Sequence, residues 1–367
     1  MGIVITGTGS YLPERIVDNH ELEAATSDFD RERSGCTLDE WVTDRIGVSS
    51  RHRAAPGEGS GSMAVAAARR ALDDAGLDPA ELELVVLSTF TSDHRQPQSV
   101  SHLQDALGTP AKCIQLDAAC AGFVDGLAVA SALMAQLGYR TAVVVHSEVL
   151  SSLCHPDKFL MQAIFADGAG AVVLRNDPVG GGGLLALRTW SDGSLSGWIS
   201  AGGGILSPMT QEALDDGSHY LDIDYKAIFP FAVDKMTQAL EAVTGDRGFG
   251  LDGLDWVIAH QTGVNITRAI AARTGIPDDR FLMTLSHTGN TSGATIPIAL
   301  DLFNREGWLG PGEIVALPTV GGGMAWGAAL LSWVETPAGR SARATLDELI
   351  DLTVPARETA NEPAVVG

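Results

Sequence analysis

Apolar residues along the chain follow two alternating patterns. Short runs rich in Val, Leu and Ile, such as Leu82–Thr89 (LELVVLST) and Leu254–Gln261 (LDWVIAHQ), predict buried strands. Each run follows a stretch with helical spacing of apolar positions, from about Met63 to Gly76 in the first case and from about Phe231 to Val243 in the second. Strands that alternate with helices in this way are typical of a layered α/β protein.

Landmarks of the first half recur in the second half at nearly one offset. Ser88 and His260 are 172 residues apart, and Cys120 and Asn290 are 170 residues apart. Chance alignment of two βα units is the alternative, but shared offsets favour an internal duplication with the chemistry split between the halves.

The pattern divides the chain into four parts. We expect an N-terminal half over 1–175, a loop-rich connection with glycine runs over 176–225, and a C-terminal half over 226–335. The tail, 336–367, is mostly polar and is expected to be flexible. Within it, only Thr345–Leu352 (TLDELIDL) has amphipathic helical spacing.

Composition excludes several classes of protein. A formal net charge of −22 over 367 residues argues against a nucleic acid or an anionic membrane as partner. Four scattered cysteines are too few for a disulfide framework or a zinc site, so we expect no bound metal and a reducing, cytoplasmic location. No uninterrupted apolar run reaches the length of a membrane span, and the N-terminus has the pattern of a strand rather than of a signal peptide.

Cys120 lies at a predicted strand-to-helix junction. The strand-like run Cys113–Leu116 leads into DAACAGF (117–123), and a helical pattern continues from Gly122 to Leu137. Backbone N–H groups and the helix dipole at such a junction are expected to lower the thiol pKa and make a thiolate available near neutral pH. Cys120 is therefore a candidate nucleophile, although a small buried core residue is the commoner role of a free cysteine.

The second half supplies candidate partners for this cysteine. His260 ends an apolar strand, at the edge of an α/β sheet where ligands usually bind. Asn290 lies in a tight turn before the helical pattern Thr295–Asn304, and the glycines 321–323 follow a predicted strand with amides that can face an oxyanion. Each feature alone has a structural explanation: a core histidine, a capping asparagine and a tight turn.

Together and in this order, these motifs resemble the β-ketoacyl-acyl-carrier-protein synthase III family, which are condensing enzymes of the thiolase superfamily. The resemblance spans about Gly2 to Val334. It is carried by GTGSYLP (7–13), DEWVTDRIG (39–47), RHRAAP (51–56), DAACAGF (117–123), FADGAGAVVL (165–174), HQ (260–261), HTGNTSGATIP (287–297) and GGGMAWG (321–327).

The resemblance implies a thiolase-like, five-layered αβαβα fold built from two duplicated halves, and usually a homodimer. Cys120 would take an acyl group from acyl-CoA, and His260 and Asn290 would bind the thioester carbonyl of a malonyl-type substrate on an acyl carrier protein. The amides of Cys120 and Gly322 would form the oxyanion hole. Coenzyme A thioesters would be substrates, and no metal or redox cofactor is implied.

Other residues match binding positions of the family or depart from them. Trp41 and Arg45 match positions that bind the nucleotide end of coenzyme A. Gln96 stands where an apolar residue usually reaches into the partner subunit's acyl pocket, and Val320 stands where phenylalanine usually precedes the glycine run. The usual HQAN motif continues here as Thr262-Gly263. These departures concern decarboxylation and acyl choice rather than acyl-enzyme formation.

Two further functions stay open on the sequence alone. One is an acyltransferase that passes the Cys120-bound group to a hydroxyl or amine without decarboxylation; the other is a silent subunit that only binds carrier protein. For carrier docking, we expect a basic surface formed by the arginines between Arg45 and Arg70, with solvated surface residues as the alternative. Those arginines are Arg45, Arg51, Arg53, Arg69 and Arg70.

Overall fold

The computed structural model describes residues 2–177 and 182–341, so the predicted helix Thr345–Leu352 lies outside the described residues. The strands are β1 Ile3–Tyr11, β2 Arg15–Asp18, β3 Ser50–Arg53, β4 Leu84–Ser88, β5 Lys112–Leu116, β6 Thr141–Val149, β7 Asp167–Asn176, β8 Gly183–Ser191, β9 Ile199–Ser200, β10 Asp222–Ile223, β11 Trp256–Val257, β12 Ile314–Gly321 and β13 Ala325–Ser332. The helices are α1 Asn19–Ala25, α2 Arg31–Ser34, α3 Leu38–Arg45, α4 Ser60–Ala75, α5 Ser99–Leu107, α6 Gly122–Leu137, α7 Phe159–Ile164, α8 Gln211–Asp216, α9 Tyr225–Gly245, α10 Val264–Thr274, α11 Leu285–Thr288, α12 Thr295–Arg305 and α13 Pro337–Ser341.

The two main sheets repeat one topology. The first has the order β1-β7-β6-β4-β5, and the second has the order β8-β13-β12-β11. In both, the strand that starts the half pairs antiparallel with the last one, and the central strands run parallel. A parallel bridge from Val257 to Phe281 continues the second sheet where β5 continues the first. The predicted internal duplication is confirmed.

Five layers follow from how the apolar faces are buried. Helices α6 and α12 lie between the two sheets, and their Phe123 and Phe303 are fully buried in one core with residues of both sheets. Helices α4 and α5 cover the outer face of the first sheet, and α9 and α10 cover that of the second. A helix packed on both sides must be apolar on more than one face, which is the pattern α6 and α12 show.

One helical stretch, Ala119–Leu137, is long and apolar enough to cross a membrane by length and composition. In this fold it belongs to the central layer, with Val124, Leu127 and Met134 buried against the sheets. Its composition is accounted for by packing between two sheets.

The structure corrects one boundary. Strand β8, Gly183–Ser191, falls inside the stretch 176–225 that we expect to be a loop-rich connection, and it forms the edge of the second sheet by pairing with β13. The preceding glycines suggest a loop, whereas the strand forms because β13 offers it an open backbone edge. The second sheet therefore begins near residue 183 instead of 226.

Candidate active site

Cys120 lies in a strained turn between β5 and α6. The turn Ala119–Ala121 is a single 3-10 turn, and Ala119 has a positive φ of 43°, which costs about 1–3 kcal/mol for a non-glycine residue. The Ser292 hydroxyl donates a hydrogen bond to the Cys120 sulfur over 3.3 Å. The backbone amides of Cys120 and Gly322 also point at this sulfur. Three hydrogen-bond donors from three segments of the chain thus point at one thiol.

Burial dominates the ionisation of this thiol. It raises the pKa of Cys120 to about 11, while the Ser292 hydroxyl and the two amides lower it and the Glu148 carboxylate raises it. The expectation of a thiolate near neutral pH is therefore wrong for the unliganded site, because desolvation outweighs the donors. Cys120 is therefore a thiol in the free protein, and the hydroxyl and amide donors around its sulfur would stabilise the thiolate once it forms.

His260 continues the parallel ladder beyond β11 and is 2% exposed. Its backbone N–H donates to Pro318 O over 2.8 Å, and its Nδ1 lies 2.9 Å from Thr295 Oγ1. The Thr295 hydroxyl already donates to Ser292 O over 2.9 Å, so it accepts from His260. This places the ring hydrogen on Nδ1 and leaves Nε2, which is buried and has no partner among the described residues, as a lone pair.

The His260 ring is neutral in this environment. Burial and, to a smaller extent, the charge of the nearby His146 lower its pKa to about 3, against a backbone contact with Ser292 that raises it. A neutral imidazole with a free lone pair can accept a proton at Nε2, and it can donate from that atom only after it has done so.

Asn290 is held in a fixed orientation. Its backbone N–H donates to Ile164 O over 2.9 Å, and its side-chain Oδ1 accepts from the backbone N–H of Ser292 over 2.8 Å. The side chain is therefore oriented with Nδ2, its donor end, available to a ligand. Asn290 is 2% exposed, so a hydrogen bond from Nδ2 forms in a largely desolvated place.

Ser292 connects all three residues, and the sequence analysis missed it. Its hydroxyl contacts Cys120, its amide contacts Asn290, and its carbonyl contacts Thr295, which holds His260. Its φ of 59° is again in the left-handed region. In the sequence, Ser292 is marked only by its position two residues after Asn290 in HTGNTSGATIP. That position does not reveal its contacts with Cys120, Asn290 and Thr295.

The glycine turn after β12 packs directly on the cysteine turn. A Cβ added to Gly321 would lie 2.6 Å from the backbone N of Ala121 and 2.9 Å from that of Cys120, so no larger residue fits. Thr319 Oγ1 donates to Cys120 O over 2.9 Å, and Val320 is 5% exposed beside it. This packing at the carboxyl end of β12 places the backbone amide of Gly322 within hydrogen-bond distance of the Cys120 sulfur.

Trp41 and Arg45 form a separate pair on α3. The Arg45 guanidinium lies 5.2 Å from the centroid of the Trp41 ring. The rings of Trp41 and Phe159 pack edge to face, with their centroids 5.3 Å apart. Gln96 is exposed in the loop before α5 and precedes a cis peptide bond to Pro97. Within the described part of the chain, none of these three side chains forms a hydrogen bond or ring contact with Cys120, His260 or Asn290.

The predicted basic docking surface is wrong for two of its five arginines. Arg51 is completely buried and donates to Val17 O, Asn19 Oδ1 and Ala163 O. Arg53 is buried and donates to Phe165 O and Gln162 O. Both side chains link main-chain segments through hydrogen bonds, so neither belongs to an exposed surface that a partner could contact. Sequence patterning cannot distinguish such residues from surface arginines, since both occur in polar stretches.

No group of three or more His, Cys, Asp or Glu side chains that could hold a metal ion occurs in residues 2–177 and 182–341. The site is instead made of one thiol, one neutral imidazole, one carboxamide and backbone amides. Such a set suits acyl transfer through a covalent thioester.

Comparison with known proteins identifies close relatives. Residues 114–193 match the family model described as 3-oxoacyl-(acyl-carrier-protein) synthase III, and residues 245–333 match the model of its C-terminal part. A β-ketoacyl-(acyl-carrier-protein) synthase III from Rhizorhabdus wittichii is 36% identical over 90% of this chain and 99% of its own. A synthase of the same name from Streptomyces coelicolor is 38% identical over 90% of this chain and 97% of its own.

Solved structures agree with these matches. The 3-oxoacyl-(acyl carrier protein) synthase III of Pseudomonas aeruginosa superposes with a TM-score of 0.82 at 33% identity, over 92% of this chain and 99% of its own. The priming β-ketosynthase of a polyketide biosynthetic pathway superposes with a TM-score of 0.81 at 30% identity, over 92% of this chain and 97% of its own.

Proposed function

The chain belongs to the β-ketoacyl-(acyl-carrier-protein) synthase III family, and on that premise we propose that it transfers an acyl group from acyl-CoA to Cys120 and condenses it with a malonyl-type thioester with loss of carbon dioxide. The observation that carries this proposal is the convergence of Cys120, His260 and Asn290 on Ser292. The product would enter fatty acid or polyketide biosynthesis.

The first half-reaction is acylation. The Cys120 thiol gives its proton, through one bridging water, to the lone pair of His260 Nε2, which no described residue contacts. The thiolate attacks the carbonyl carbon of the acyl thioester. The carbonyl oxygen becomes an oxyanion, which the amides of Cys120 and Gly322 stabilise. The carbon–sulfur bond to coenzyme A then breaks, and the departing thiolate takes the proton from His260, which returns to its neutral form.

The second half-reaction uses an Nε2–H on His260, for which the ring takes up the one proton that decarboxylative condensation consumes. Its Nε2–H and the Nδ2 of Asn290 donate to the malonyl thioester carbonyl, which stabilises the enolate formed as carbon dioxide leaves. The enolate carbon attacks the acyl-enzyme, and the Cys120 thiolate departs and recovers its proton from His260. Desolvation strengthens both hydrogen bonds, since each of the two residues is 2% exposed.

Substrate delivery would involve coenzyme A and an acyl carrier protein. An indole face and a guanidinium suit adenine and phosphate, so Trp41 and Arg45 are candidates for the nucleotide end. With Arg51 and Arg53 buried, Arg45, Arg69 and Arg70 are left as the exposed arginines of the stretch that could attract an acidic carrier. We place the enzyme in the cytoplasm, where both substrates would be met, and propose no bound metal or redox cofactor.

A homodimer is supported by the open edge of the first sheet. Strand β5 is the last strand of that sheet, and Cys113–Leu116 in it are half-buried in the single chain. An exposed strand edge is normally paired or covered. Pairing of β5 with its copy in a second chain would cover this edge.

Carbon dioxide release tests the proposed reaction. Acyl-CoA alone should give a burst of free thiol equal to the enzyme concentration, and added malonyl thioester should then release one carbon dioxide for each condensation product. Thiol release with no carbon dioxide, but with acyl transfer to a hydroxyl or amine, would favour the non-decarboxylating acyltransferase. The small Val320 and Thr262-Gly263 are the residues that keep this alternative open. No thiol burst with retained carrier binding would indicate a silent binding subunit.

Ser292→Ala is expected to slow acyl-enzyme formation by about two- to tenfold, because a single lost hydrogen bond is worth about 0.5–1.5 kcal/mol. Without the Ser292 hydroxyl, the Cys120 thiol ionises less readily, and the pKa rises further. The backbone contacts of Ser292 with Asn290 and Thr295 remain, so the second half-reaction should change less. Quenched-flow mass spectrometry of the acylated protein measures the rate, with Ser152→Ala as a surface control. Equal acylation rates in Ser292→Ala and in the parent enzyme would exclude this role.

Gln96→Leu is expected to shift acyl preference toward plain alkyl chains. If Gln96 enters the acyl pocket of a second subunit, its carboxamide needs a partner there, and leaving it unpaired costs roughly 1–3 kcal/mol. An acyl group that carries oxygen or nitrogen can supply that partner. Competition between alkyl and oxygen-bearing acyl-CoAs, read by the mass of the acyl-enzyme, gives the preference; Gln98→Leu, two residues along, is the control. An unchanged ratio contradicts the assignment.

A further inference from the structure

A threonine near the carboxyl end of β12, Thr319, contacts the backbone of the cysteine turn. Its Oγ1 donates a hydrogen bond to Cys120 O over 2.9 Å, between residues that are 199 positions apart in the chain. A carbonyl oxygen can only accept, so the direction of this bond is certain. Thr319 is 1% exposed, and the mechanism above does not use it.

Thr319 occupies a position of its strand that otherwise carries apolar residues. Val315 and Leu317 of β12 pack in the central layer between the two sheets, whereas Ala316 packs in the outer layer. Because side chains alternate between the two faces of a strand, Thr319 follows Val315 and Leu317 into the central layer. A hydroxyl buried there costs free energy unless it is hydrogen-bonded, and the carbonyl of Cys120 supplies that partner.

The two backbone amides that point at the Cys120 sulfur come from different halves of the fold. One is the amide of Cys120 itself, in the turn after β5, and the other is that of Gly322, in the turn after β12. The distance between these amides therefore depends on contacts between the two turns. Thr319 lies only three residues before Gly322, so its bond to Cys120 joins the two segments close to both amides.

Two kinds of contact hold these turns against each other. A Cβ added to Gly321 would lie 2.6 Å from the backbone N of Ala121, so the turns are already in direct backbone contact. Such a contact limits how closely the turns approach, but it does not prevent them from separating or sliding. The hydrogen bond from Thr319 is attractive and directional, and it acts on a turn in which Ala119 has a strained φ of 43°.

We propose that Thr319 is a positioning residue whose hydroxyl holds the Cys120 carbonyl and thereby sets the separation of the two amides of the oxyanion hole, those of Cys120 and Gly322. The proposal rests on the proposed acylation of Cys120 and deepens it, since it names the residue that aligns the amides. Thr319 acts through the backbone of the two turns.

A misaligned oxyanion hole affects one class of reaction at Cys120 and spares another. Attack on an ester or thioester builds negative charge on the carbonyl oxygen, which has to lie against both amides. Attack on iodoacetamide displaces iodide from a saturated carbon, so no oxyanion forms. Thr319 should therefore matter for acylation of the sulfur and much less for its alkylation.

Thr319→Val and Thr319→Ser separate the hydroxyl from the shape of the side chain. Valine has nearly the same shape and cannot donate, whereas serine keeps the hydroxyl. The acyl donor is p-nitrophenyl acetate: the thiolate bonds to the ester carbon, and the p-nitrophenolate that leaves is measured by its absorbance. In Thr319→Val, acylation should be about three- to tenfold slower and alkylation by iodoacetamide less than about twofold slower. Acylation of Thr319→Ser should stay within about twofold of the parent rate.

Thr237→Val is the matched control. Thr237 is a buried threonine of α9 whose hydroxyl has no hydrogen-bond partner among the described residues, so its loss should leave both rates unchanged. Cys120→Ala gives the background of each reaction.

Unchanged acylation in Thr319→Val, or equally slow acylation in Thr319→Val and Thr319→Ser, would overturn the proposal. Equal slowing of acylation and alkylation would also overturn it, since that result indicates a general disturbance of the site. If Thr319→Val fails to fold, as thermal unfolding would show, Thr319→Ala is judged by the same criteria, because it puts no carbon in place of the hydroxyl. Neither reagent contains coenzyme A, so the role of Thr319 can hold even if acyl transfer from acyl-CoA is not found.

Discussion

Cys120→Ala is expected to remove the acyl adduct entirely. Cys120 is the cysteine with a hydroxyl and two backbone amides directed at its sulfur, so it is the one whose thiolate is stabilised during attack. The thiols of Cys113 and Cys154 instead donate to main-chain carbonyls, and burial raises the pKa of both, so neither thiolate has a comparable set of donors. Intact mass after incubation with acyl-CoA measures the adduct.

The matched control for this variant is Cys36→Ala, which removes a half-buried cysteine and should leave the adduct intact. Because the pKa of Cys120 is about 11, the thiolate fraction in the free enzyme rises about tenfold per pH unit below that value. Alkylation of the parent enzyme should accordingly increase from pH 7 to pH 10 without a plateau. An undiminished acyl adduct in Cys120→Ala would sink the nucleophile assignment and the mechanism with it.

Asn290→Asp and His260→Ala are expected to lower condensation by about 10²–10³-fold while the acyl-enzyme still forms, since loss of one such donor typically costs about 3–4 kcal/mol in the transition state. Asn290→Asp keeps the oxygen that accepts from Ser292 and removes the Nδ2 donor. Its carboxylate also adds a negative charge near Cys120, so the neutral Asn290→Ala is measured beside it. The charge that these donors stabilise develops only on the malonyl thioester, so the loss of donation acts on the second half-reaction. Loss of His260 also removes the base that takes the Cys120 proton in the first.

Both half-reactions are measured on the same preparations, by acyl-enzyme mass and by carbon dioxide release. His260→Ala should also acylate more slowly near pH 7 and recover as the pH rises, because the thiol can then ionise without an internal base. Asn290→Ala should show no such recovery, since it removes no base and adds no charge. Comparable losses in both half-reactions of Asn290→Ala would contradict the proposed division of labour.

The order of the motifs along the chain was predictable from the sequence, whereas the environment of each residue was not. The order of Cys120, His260 and Asn290 in the chain predicted the residues that the fold brings to one place, because strand ends of a duplicated α/β fold meet at the layer between the sheets. The offset between the halves predicted the repeated sheet order, because each half must bury the same alternation of strands and helices.

The ionisation of these residues was not predictable in the same way. The junction position of Cys120 predicts a lowered pKa, yet burial raises it to about 11, and the neutral state of His260 also follows from its burial. Desolvation depends on all the atoms packed around a group, most of them distant in sequence. Likewise, Arg51 and Arg53 have the sequence context of surface residues but donate to main-chain carbonyls in the interior.

The sequence by itself determined the α/β layering, the duplication and the three residues proposed to act on the substrates. Periodicity and motif order are properties of the chain that can be read before it folds. Only the tertiary structure decided that Ser292 joins these residues, that β8 completes the second sheet and that Thr319 donates to the cysteine turn. The contact of Ser292 with Cys120 and the pairing of β8 with β13 join segments more than a hundred residues apart in the chain. Their energies depend on packing and solvent exclusion that exist only once the two halves have met.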